Sequence, residues 1–373
     1  MSPLRIGVIF GGRSGEHEVS LASAASVMAA LERGGHTVVP IGIARDGRWV
    51  VGGDPLRALA AEARIAMPAG DDTGDVKKAL ADRAEATMGI GDMALARTEP
   101  PGGLPAELRH SLDVVVIMLH GPYGEDGTIQ GLLELADLPY VGAGVMASAV
   151  GMDKAMMKAV FRAHGLPIVE HVVVPRREWR DDPRGVRRRV SRQIGFPCFV
   201  KPSNLGSSVG ISKVRNAAGL GPAMDEAARY DRKIMVERAV TAREIEISVL
   251  GNDQPETSVP AEITYPGEWY DYATKYAEGQ AQLVIPAPIS PALTRRVREL
   301  AVGAFRAIDC AGMARVDFFL EGRRLLVNEI NTIPGFTPTS AYARMWEAAG
   351  VSYVALLNRL VHLALERHRE KPQ

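Results

Sequence analysis

Short apolar runs alternate with a helical stretch in the N-terminal part of the chain, and this alternation constrains the fold more than any other feature. Ile6–Phe10, Val38–Ile43 and Val114–Leu119 have the composition of strands, a helix is predicted over Glu18–Arg33, and Pro139–Gly142 is a short further strand. Continuous β-branched runs are typical of parallel strands that are covered on both faces. The strand–helix–strand order therefore predicts an open parallel sheet.

The composition excludes several classes of protein. The 373 residues carry 44 Lys and Arg against 44 Asp and Glu, and zero net charge argues against a main role in holding nucleic acid or an anionic membrane. Cys198 and Cys310 are too few to staple a chain of this length. No apolar run reaches the ~18 residues of a membrane helix, so we expect a cytoplasmic protein without a targeting segment.

Three stretches depart from the alternating pattern. Residues 52–110 are rich in Ala, Gly, Asp and Pro, and we interpret them as an insertion on the first domain. Arg176–Arg192 is strongly basic, and we interpret it as a solvated helix face, since the charge of the whole chain gives no support for nucleic-acid binding. A third segment, Tyr265–Gln282, is polar and aromatic without a clear period, which indicates a long functional loop.

The strongest chemical signal is a hairpin predicted within Ala314–Asn331. If a three-residue loop between Glu321 and Leu325 closes this hairpin, Asp317 lies opposite Glu329. Two carboxylates that oppose each other on one face of a sheet repel. A cation between the two side chains would remove this repulsion, so the pairing predicts one there.

The cation in this hairpin has two candidate identities. Arg315 shares a face with Asp317, and Asn331 shares a face with Glu329, because alternate residues of a strand point the same way. Carboxylate and amide oxygens suit Mg²⁺, which takes a few carboxylates together with substrate phosphates. The alternative is that Arg315 simply neutralises Asp317, and the hairpin alone leaves both readings open.

A glycine- and serine-rich loop, Lys201–Gly210, lies between two predicted strands. Small residues let backbone N–H groups approach phosphate oxygens, and Lys201 adds a positive charge. The spacing differs from that of a P-loop. An ordinary hairpin loop explains the same residues, so phosphate binding needs support from elsewhere in the chain.

Polar clusters follow two strands of the predicted first sheet. Gly11–Ser20 holds Glu16, whose charge suits a substrate amine, although a helix N-terminus also favours acidic residues. His120–Gly127 holds His120 and Glu125, and a purely structural histidine is the alternative there. Because ligands of open α/β sheets bind beyond the carboxyl ends of the strands, both clusters are expected on one edge.

Read together, these motifs resemble those of the D-alanine:D-alanine ligase family of the ATP-grasp superfamily, over almost the whole chain except 52–110 and the extreme C-terminus. The motifs are Gly11–Ser20, His120–Gly131, Met152–Lys154, Lys201–Gly210, Tyr270–Tyr276, Ala314–Phe319 and Asn328–Ser340. The resemblance implies an α/β chain, α+β in its C-terminal part, with the ATP-grasp fold. It implies an N-terminal open parallel-sheet domain that binds substrate (1–150) and two α+β domains that clamp ATP: a central lid (151–240) and a catalytic domain with the metal site (241–373).

The resemblance also implies ligands for ATP and its metals. The residues that would hold ATP phosphates are Lys154, Lys201, Ser207, Ser208 and Lys275, and those for adenine and ribose are Glu237, Arg238, Ala239, Val240 and Glu244. Two Mg²⁺ or Mn²⁺ ions would bind Asp317, Glu329 and Asn331, and the family allows a monovalent cation as well.

The same resemblance implies roles in binding and catalysis. Ser207 would hydrogen-bond with Glu16 and Tyr276 and so close a lid, and Glu16 would attract the ammonium of the first D-alanine. Lys275 and Ser340 would hold the carboxylate of the second D-alanine. Arg315 and the N–H of Gly335 would stabilise the oxyanion of the tetrahedral intermediate, and His120 and Glu125 would order the substrate pocket.

The implied reaction has two steps, and other functions compete with it. The first D-alanine would attack the γ-phosphate of ATP, and the second would attack the resulting acylphosphate. The alternatives are a D-alanine:D-lactate or D-alanine:D-serine ligase and other ATP-grasp carboxylate–amine ligases. A nucleotide-binding module without catalysis is disfavoured because Arg315, Asp317, Glu329 and Asn331 are all present, and a Rossmann dehydrogenase is disfavoured by the glycine spacing. The family also implies a homodimer.

Overall fold

The structure is a computed structural model that describes residues 2–63, 97–99, 105, 108, 110–206, 209–265 and 282–371. The described strands form three sheets, of five, four and six strands. The N-terminal sheet has parallel strands at its centre, and the other two are antiparallel at every pairing. This arrangement confirms an α/β chain with α+β character in its C-terminal part.

The first sheet has the order β4-β3-β2-β1-β5. Its strands are β1 (Arg5–Gly11), β2 (Thr37–Ile43), β3 (Trp49–Val51), β4 (Arg97–Glu99) and β5 (Val114–Ile117). β1 pairs in parallel with both β2 and β5, as the alternating pattern predicted. The helices of this part are α1 (His17–Arg33), α2 (Pro55–Glu62), α3 (Thr128–Leu135) and α4 (Val145–Met152).

Two expectations for this part need correction. The strand predicted at Pro139–Gly142 is a single bridge between Tyr140 and Val115, since Gly142 turns the chain at a φ of 101° towards α4. Residues 52–110 are not only an insertion, because β4 lies within them and pairs with β3 in the first sheet. Both β3 and β4 went unpredicted. The start of the segment, 52–63, holds α2, while 64–96 and most of 100–109 lie outside the described residues.

The central sheet has the order β6-β9-β7-β8, with strands β6 (His171–Pro175), β7 (Cys198–Pro202), β8 (Ser212–Val214) and β9 (Lys233–Arg238). Its helices are α5 (Lys154–Ala163), α6 (Arg176–Asp181), α7 (Pro183–Gln193) and α8 (Leu220–Tyr230), with a 3-10 turn at Ala217–Gly219. The basic stretch forms α6 and α7, and seven of its arginines are exposed: Arg176, Arg177, Arg180, Arg184, Arg187, Arg188 and Arg192. The prediction of a solvated helix face is confirmed.

The C-terminal sheet has the order β13-β12-β10-β14-β15, with β11 paired to β10. Its strands are β10 (Arg243–Gly251), β11 (Glu256–Thr257), β12 (Ala261–Thr264), β13 (Gln282–Val284), β14 (Gly312–Glu321) and β15 (Arg324–Asn331). The helices that follow β13 are α9 (Pro291–Ala307), α10 (Ala341–Glu347) and α11 (Tyr353–Arg369). The predicted loop after Tyr265 lies outside the described residues over 266–281.

The hairpin of β14 and β15 closes differently from the prediction, yet its functional pairing is as predicted. Glu321 pairs with Arg324, so the loop has two residues and not three. A register shift between Asp317 and Phe318 leaves Asn328 as the extra residue of a bulge, and Asp317 therefore still faces Glu329. The bulge restores at the site the register that the shorter loop would have displaced.

Three hydrophobic clusters hold these layers together, and two of them join distant parts of the chain. The first sheet shares its core with α11 through residues such as Leu356 and Leu360. α5 contributes Met157 and Phe161 to the core behind the C-terminal sheet. Within the described residues, no helix is long and apolar enough to cross a membrane.

Candidate active site

Three acidic side chains form a row across the C-terminal sheet. Glu246 on β10 lies opposite Asp317 on β14, and Asp317 lies opposite Glu329 on β15. Side chains that are directly opposed in antiparallel strands share a face. We call these three residues the carboxylate row. Glu246 and Asp317 are nearly buried, at 5% and 9% exposure, so their charges are costly without cations nearby.

Arg315 is a cation that the structure places against this row. Its Nε and Nη2 donate to the two oxygens of Asp317, at 2.7 Å each, and its Nε lies 3.2 Å from Glu246 Oε2. Burial opposes the charge of Arg315, but Asp317 and Glu246 outweigh it and raise its pKa further. Asn331 Nδ2 also donates to Asp317 Oδ2 at 3.0 Å. The predicted face and the predicted pair of Asp317 with Glu329 are confirmed, and Arg315 lies opposite Asn331.

Both readings of the hairpin draw support from this geometry. Arg315 does neutralise Asp317, as the simpler reading held. Across the described residues, no cluster of three or more His, Cys, Asp or Glu side chains is placed to hold a metal ion. The donor types of Asp317, Glu329 and Asn331 nevertheless fit Mg²⁺, which combines a few protein oxygens with water and phosphate. The metal site therefore stays a prediction.

Lys154 and Asp153 connect α5 to the glycine-rich loop. Lys154 Nζ donates to the backbone oxygen of Leu205 at 2.8 Å and lies 3.7 Å from Glu329 Oε2. Asp153 caps α5 by accepting the N–H groups of Ala155 and Met156. It also accepts the hydroxyl of Ser203 at 2.7 Å, a second task that the sequence did not reveal. Lys154 thus stands between the loop and the carboxylate row.

A buried carboxylate on β9 is shared by two lysines. Glu237 Oε2 accepts Lys201 Nζ at 2.6 Å, and Glu237 Oε1 lies 2.7 Å from Lys158 Nζ. Lys158, Lys201 and Glu237 thus form one buried charged cluster. Burial raises the pKa of Glu237, but the two ammonium groups outweigh it and lower that pKa to about 2. Burial lowers the pKa of Lys158.

The depressed pKa of Glu237 predicts an acid-dependent loss of stability. The folded state keeps the carboxylate ionised, so its contribution is present above pH 4.5 and is lost as pH falls towards about 2. We expect Glu237→Gln to flatten the dependence of the unfolding free energy on pH over this range, by about 3 kcal/mol in all. Urea unfolding at several pH values measures it. Glu299→Gln, on the exposed face of α9, is the control, and an unchanged slope in Glu237→Gln would contradict the assignment.

Glu16 brings the N-terminal motifs together with the glycine-rich loop. A Cβ built on Gly121 would lie 3.0 Å from Glu16 Oε2, and one built on Gly206 would lie 3.6 Å from the same oxygen. The backbone N–H of Glu16 donates to Ser14 Oγ at 3.2 Å, which fixes the turn. The predicted meeting of both clusters at one edge of the sheet is therefore confirmed.

His120, which is buried, and Glu125, which is half-buried, form a pair near Glu16. His120 Nδ1 lies 3.8 Å from Glu125 Oε1, and Ser23 Oγ lies 3.4 Å from His120 Nε2. Burial opposes protonation of His120, but Glu125, with help from Glu16, outweighs it and raises the imidazole pKa. Burial also raises the pKa of Glu125. The pair thus favours keeping a proton at this edge of the sheet.

The segment Glu237–Val240, which is predicted to bind adenine and ribose, begins in the last two residues of β9. The Arg238 side chain is committed elsewhere, with Nη1 and Nη2 donating to Glu321 at 2.8 and 3.0 Å and Nε donating to Glu170 at 2.8 Å. The N–H of Ala239 donates to the Pro197 oxygen at 3.1 Å, and Glu244 accepts the Tyr265 hydroxyl at 2.6 Å. The backbone N–H of Arg238 is engaged as well, since it donates to the Glu170 oxygen at 3.0 Å.

The remaining predicted residues fall into two groups. Gly335 and Ser340 lie in the turn after β15, where Ser340 Oγ accepts the N–H of Thr337 at 3.0 Å and lies 3.4 Å from a Cβ built on Gly335. Four others lie outside the described residues: Ser207, Ser208, Lys275 and Tyr276. Their roles stay predictions.

Sequence reasoning missed Glu246 and Lys158. Glu246 alternates with apolar residues on β10, as a half-buried strand residue would, and only its register with Asp317 reveals its place. Lys158 lies one helical turn after Lys154, so the spacing of four on a predicted helix was a usable signal.

Comparison with known proteins agrees with this geometry. The family model for the N-terminus of D-ala D-ala ligase matches residues 5–143, and that for the C-terminus matches residues 160–362. A D-alanine–D-alanine ligase of Natranaerobius thermophilus is 43% identical over 379 residues, which is 100% of this chain and 97% of the relative. That of Heliobacterium modesticaldum is 48% identical over 98% of this chain and 96% of its own. The similarity thus includes residues 52–110.

Solved structures give the same result for the fold. The D-alanine–D-alanine ligase of Coxiella burnetii has a TM-score of 0.78 and 37% identity, over 99% of this chain and 96% of that one. The VanG D-Ala:D-Ser ligase of Enterococcus faecalis has a TM-score of 0.79 and 29% identity, over 97% and 100%. The chain has the ATP-grasp fold of these ligases, and it belongs to the D-alanine–D-alanine ligase family.

Proposed function

We infer that this protein is an ATP-dependent ligase that joins two D-alanine molecules to D-alanyl-D-alanine, with release of ADP and phosphate, for peptidoglycan precursor synthesis. The observation that carries this function is the convergence of Glu16, Lys154 and the carboxylate row around the glycine-rich loop. Lys154 contacts both the loop and Glu329, and Glu16 Oε2 lies 3.6 Å from a Cβ built on Gly206 of the loop. The residues around this loop therefore offer a negative charge for an amine and positive charges for phosphates.

The family uses ATP and depends on a divalent metal, and the finer assignment is our proposal. Asp317, Glu329 and Asn331 would hold two Mg²⁺ or Mn²⁺ ions, and Lys154 and Lys201 would contact the phosphates. When bound, the metal ions would offset the charge on the β- and γ-phosphate oxygens. The carboxylate row brings three acidic side chains together, with Arg315 against Asp317 and Glu246 and Lys154 3.7 Å from Glu329, and such a concentration of carboxylates suits divalent cations.

The residues of the cleft suit a two-step reaction. Glu16 would orient the first D-alanine through its ammonium group, and the carboxylate of that D-alanine would attack the γ-phosphorus of ATP to give an acylphosphate and ADP. The amine of the second D-alanine would then attack the acyl carbon, and phosphate would leave. Arg315 and the N–H of Gly335 would stabilise the oxyanion of that step. A lid formed by Ser207 and Tyr276 would keep water from the acylphosphate.

A phosphate-release assay tests the function directly. With ATP and Mg²⁺, we expect D-alanine alone to support release at neutral pH. D-alanine with D-lactate or D-serine serves as the comparison, because one structural relative is a D-Ala:D-Ser ligase. Product analysis must show D-alanyl-D-alanine as the main species. Release that requires D-lactate or D-serine would overturn the choice of the second substrate.

Other features of the protein stay predictions that rest on the family. They are the domain limits at 1–150, 151–240 and 241–373, the homodimer, the cytoplasmic location and the monovalent cation. Lys275 and Ser340 for the second carboxylate, Ser208 for phosphate, and His120 with Glu125 for order in the pocket belong to the same group.

A further inference from the structure

Lys158 is a buried cation that the reaction described above does not use. Its side chain is 1% exposed, and its ammonium lies 2.7 Å from Glu237 Oε1. An ammonium group in a protein interior is costly unless a carboxylate accompanies it. Lys158 is on α5, one turn beyond Lys154, so the two lysines lie on the same face of this helix. The buried ammonium of Lys158 is thus on the same helix face as Lys154, which is proposed to contact the phosphates of ATP.

The carboxylate of Glu237 has more positive charge around it than it needs. Lys201 lies 2.6 Å from Oε2 while Lys158 lies 2.7 Å from Oε1. Two ammonium groups around one carboxylate leave one positive charge in excess. Lys201 is the more exposed of the two, at 11% of its side chain against 1% for Lys158. Lys201 is therefore the cation that can reach a ligand, and Lys158 is the one that stays.

The group opposite Glu237 does not replace Lys158. His171 on β6 is paired with Glu237 across the sheet. Burial and the charge of Lys158 lower the pKa of His171, which favours a neutral imidazole at neutral pH. Glu237 therefore depends on lysines for its neutralisation.

We propose that Lys158 is a positioning residue for nucleotide binding, which keeps Glu237 neutralised while Lys201 turns to the phosphates of ATP. The inference rests on the proposed function, because Lys201 acts on ATP there. Without Lys158, moving Lys201 onto a phosphate would leave a buried carboxylate without a cation, which is strongly unfavourable. Glu237 would then hold Lys201 back, and nucleotide would bind less tightly.

Two variants separate this role from a merely structural one. In Lys158→Met, we expect ADP to bind about tenfold more weakly in calorimetry without D-alanine, and KM for ATP to rise about as much, with kcat and KM for D-alanine within about twofold. In the double variant Lys158→Met with Glu237→Gln, the carboxylate that restrains Lys201 is gone. Its ADP affinity should then lie within about threefold of that of Glu237→Gln alone, a comparison in which any direct contact of Glu237 with the nucleotide cancels. Lys158→Arg keeps the charge and should bind ADP nearly as the wild type does.

The outcomes are distinct from those that test the function. Unchanged ADP affinity in Lys158→Met, or a double variant that binds ADP more than about threefold more weakly than Glu237→Gln, would overturn the proposal. If Lys158→Met does not fold, the comparison of the double variant with Glu237→Gln decides by the same threefold limit. Failure of the wild-type protein to release phosphate with D-alanine would instead refute the ligase function, whatever the variants show.

Discussion

Replacing Glu329 with glutamine is expected to abolish turnover and leave the fold intact. Glu329 faces Asp317 across the hairpin and keeps 24% of its side chain exposed, so the substitution removes a charge and not a core contact. Loss of a single group that stabilises developing charge typically lowers kcat by about 10²- to 10³-fold, and loss of a metal ligand should cost at least as much. Phosphate release at saturating ATP, Mg²⁺ and D-alanine measures the effect.

The matched control for this variant is Glu299→Gln. Glu299 lies on α9 with 63% of its side chain exposed and pairs with Arg296 of the same helix. We expect it to turn over like the wild type, and both variants should melt within about 2 °C of the wild-type protein. Normal turnover in Glu329→Gln would refute the metal assignment, and a large fall in its melting temperature would indicate a structural role instead.

Arg315→Met is expected to cost both activity and stability. The substitution leaves Asp317 and Glu246 nearly buried and without the cation that lies 2.7 and 3.2 Å from them. Breaking a buried ion pair from one side typically lowers the free energy of unfolding by about 3–5 kcal/mol. The loss of oxyanion stabilisation should lower kcat by about 10²-fold or more. Urea unfolding and the phosphate-release assay give the two values.

Added Mg²⁺ makes the test of Arg315 specific. If the carboxylate row binds a divalent cation, Mg²⁺ should restore part of the stability of Arg315→Met, and the variant should be weakest in a chelator. Arg315→Lys is the control, since it keeps the charge but cannot donate to both oxygens of Asp317. It should be more stable than Arg315→Met. The account would be contradicted if Arg315→Met were as stable as the wild type, or if Mg²⁺ did not change the stability of this variant.

The sequence predicted the pairing at the site for a physical reason. The register that places Arg315, Asp317, Glu329 and Asn331 on one face also places two carboxylates opposite each other. That arrangement is stable only if a cation lies nearby, and this requirement identified the hairpin as a site. The predicted length of the hairpin loop was wrong because a two-residue loop with a bulge at Asn328 pairs Asp317 with Glu329 just as a three-residue loop without a bulge would. Patterns of alternating residues fix which side chains share a face, and they do not reveal where an extra residue enters.

Other features could not be predicted because they depend on contacts between distant segments. Glu246 joins the carboxylate row only through the pairing of β10 with β14. Glu237 attracts Lys158 from α5 and Lys201 from β7, which meet only when the central sheet packs on that helix. The short strands β3 and β4 have three residues each, too few for a periodic signal. Motif order identified the family, and packing determined the partners of each charge.

A crystal structure with a non-hydrolysable ATP analogue and Mg²⁺ tests the central assignment most directly. We predict two metal ions between the phosphates and the side chains of Asp317, Glu329 and Asn331, with Lys154 and Lys201 turned to phosphate oxygens. Lys158 should remain on Glu237. Nucleotide bound without metal at the carboxylate row, or bound away from Lys154 and Lys201, would contradict the account.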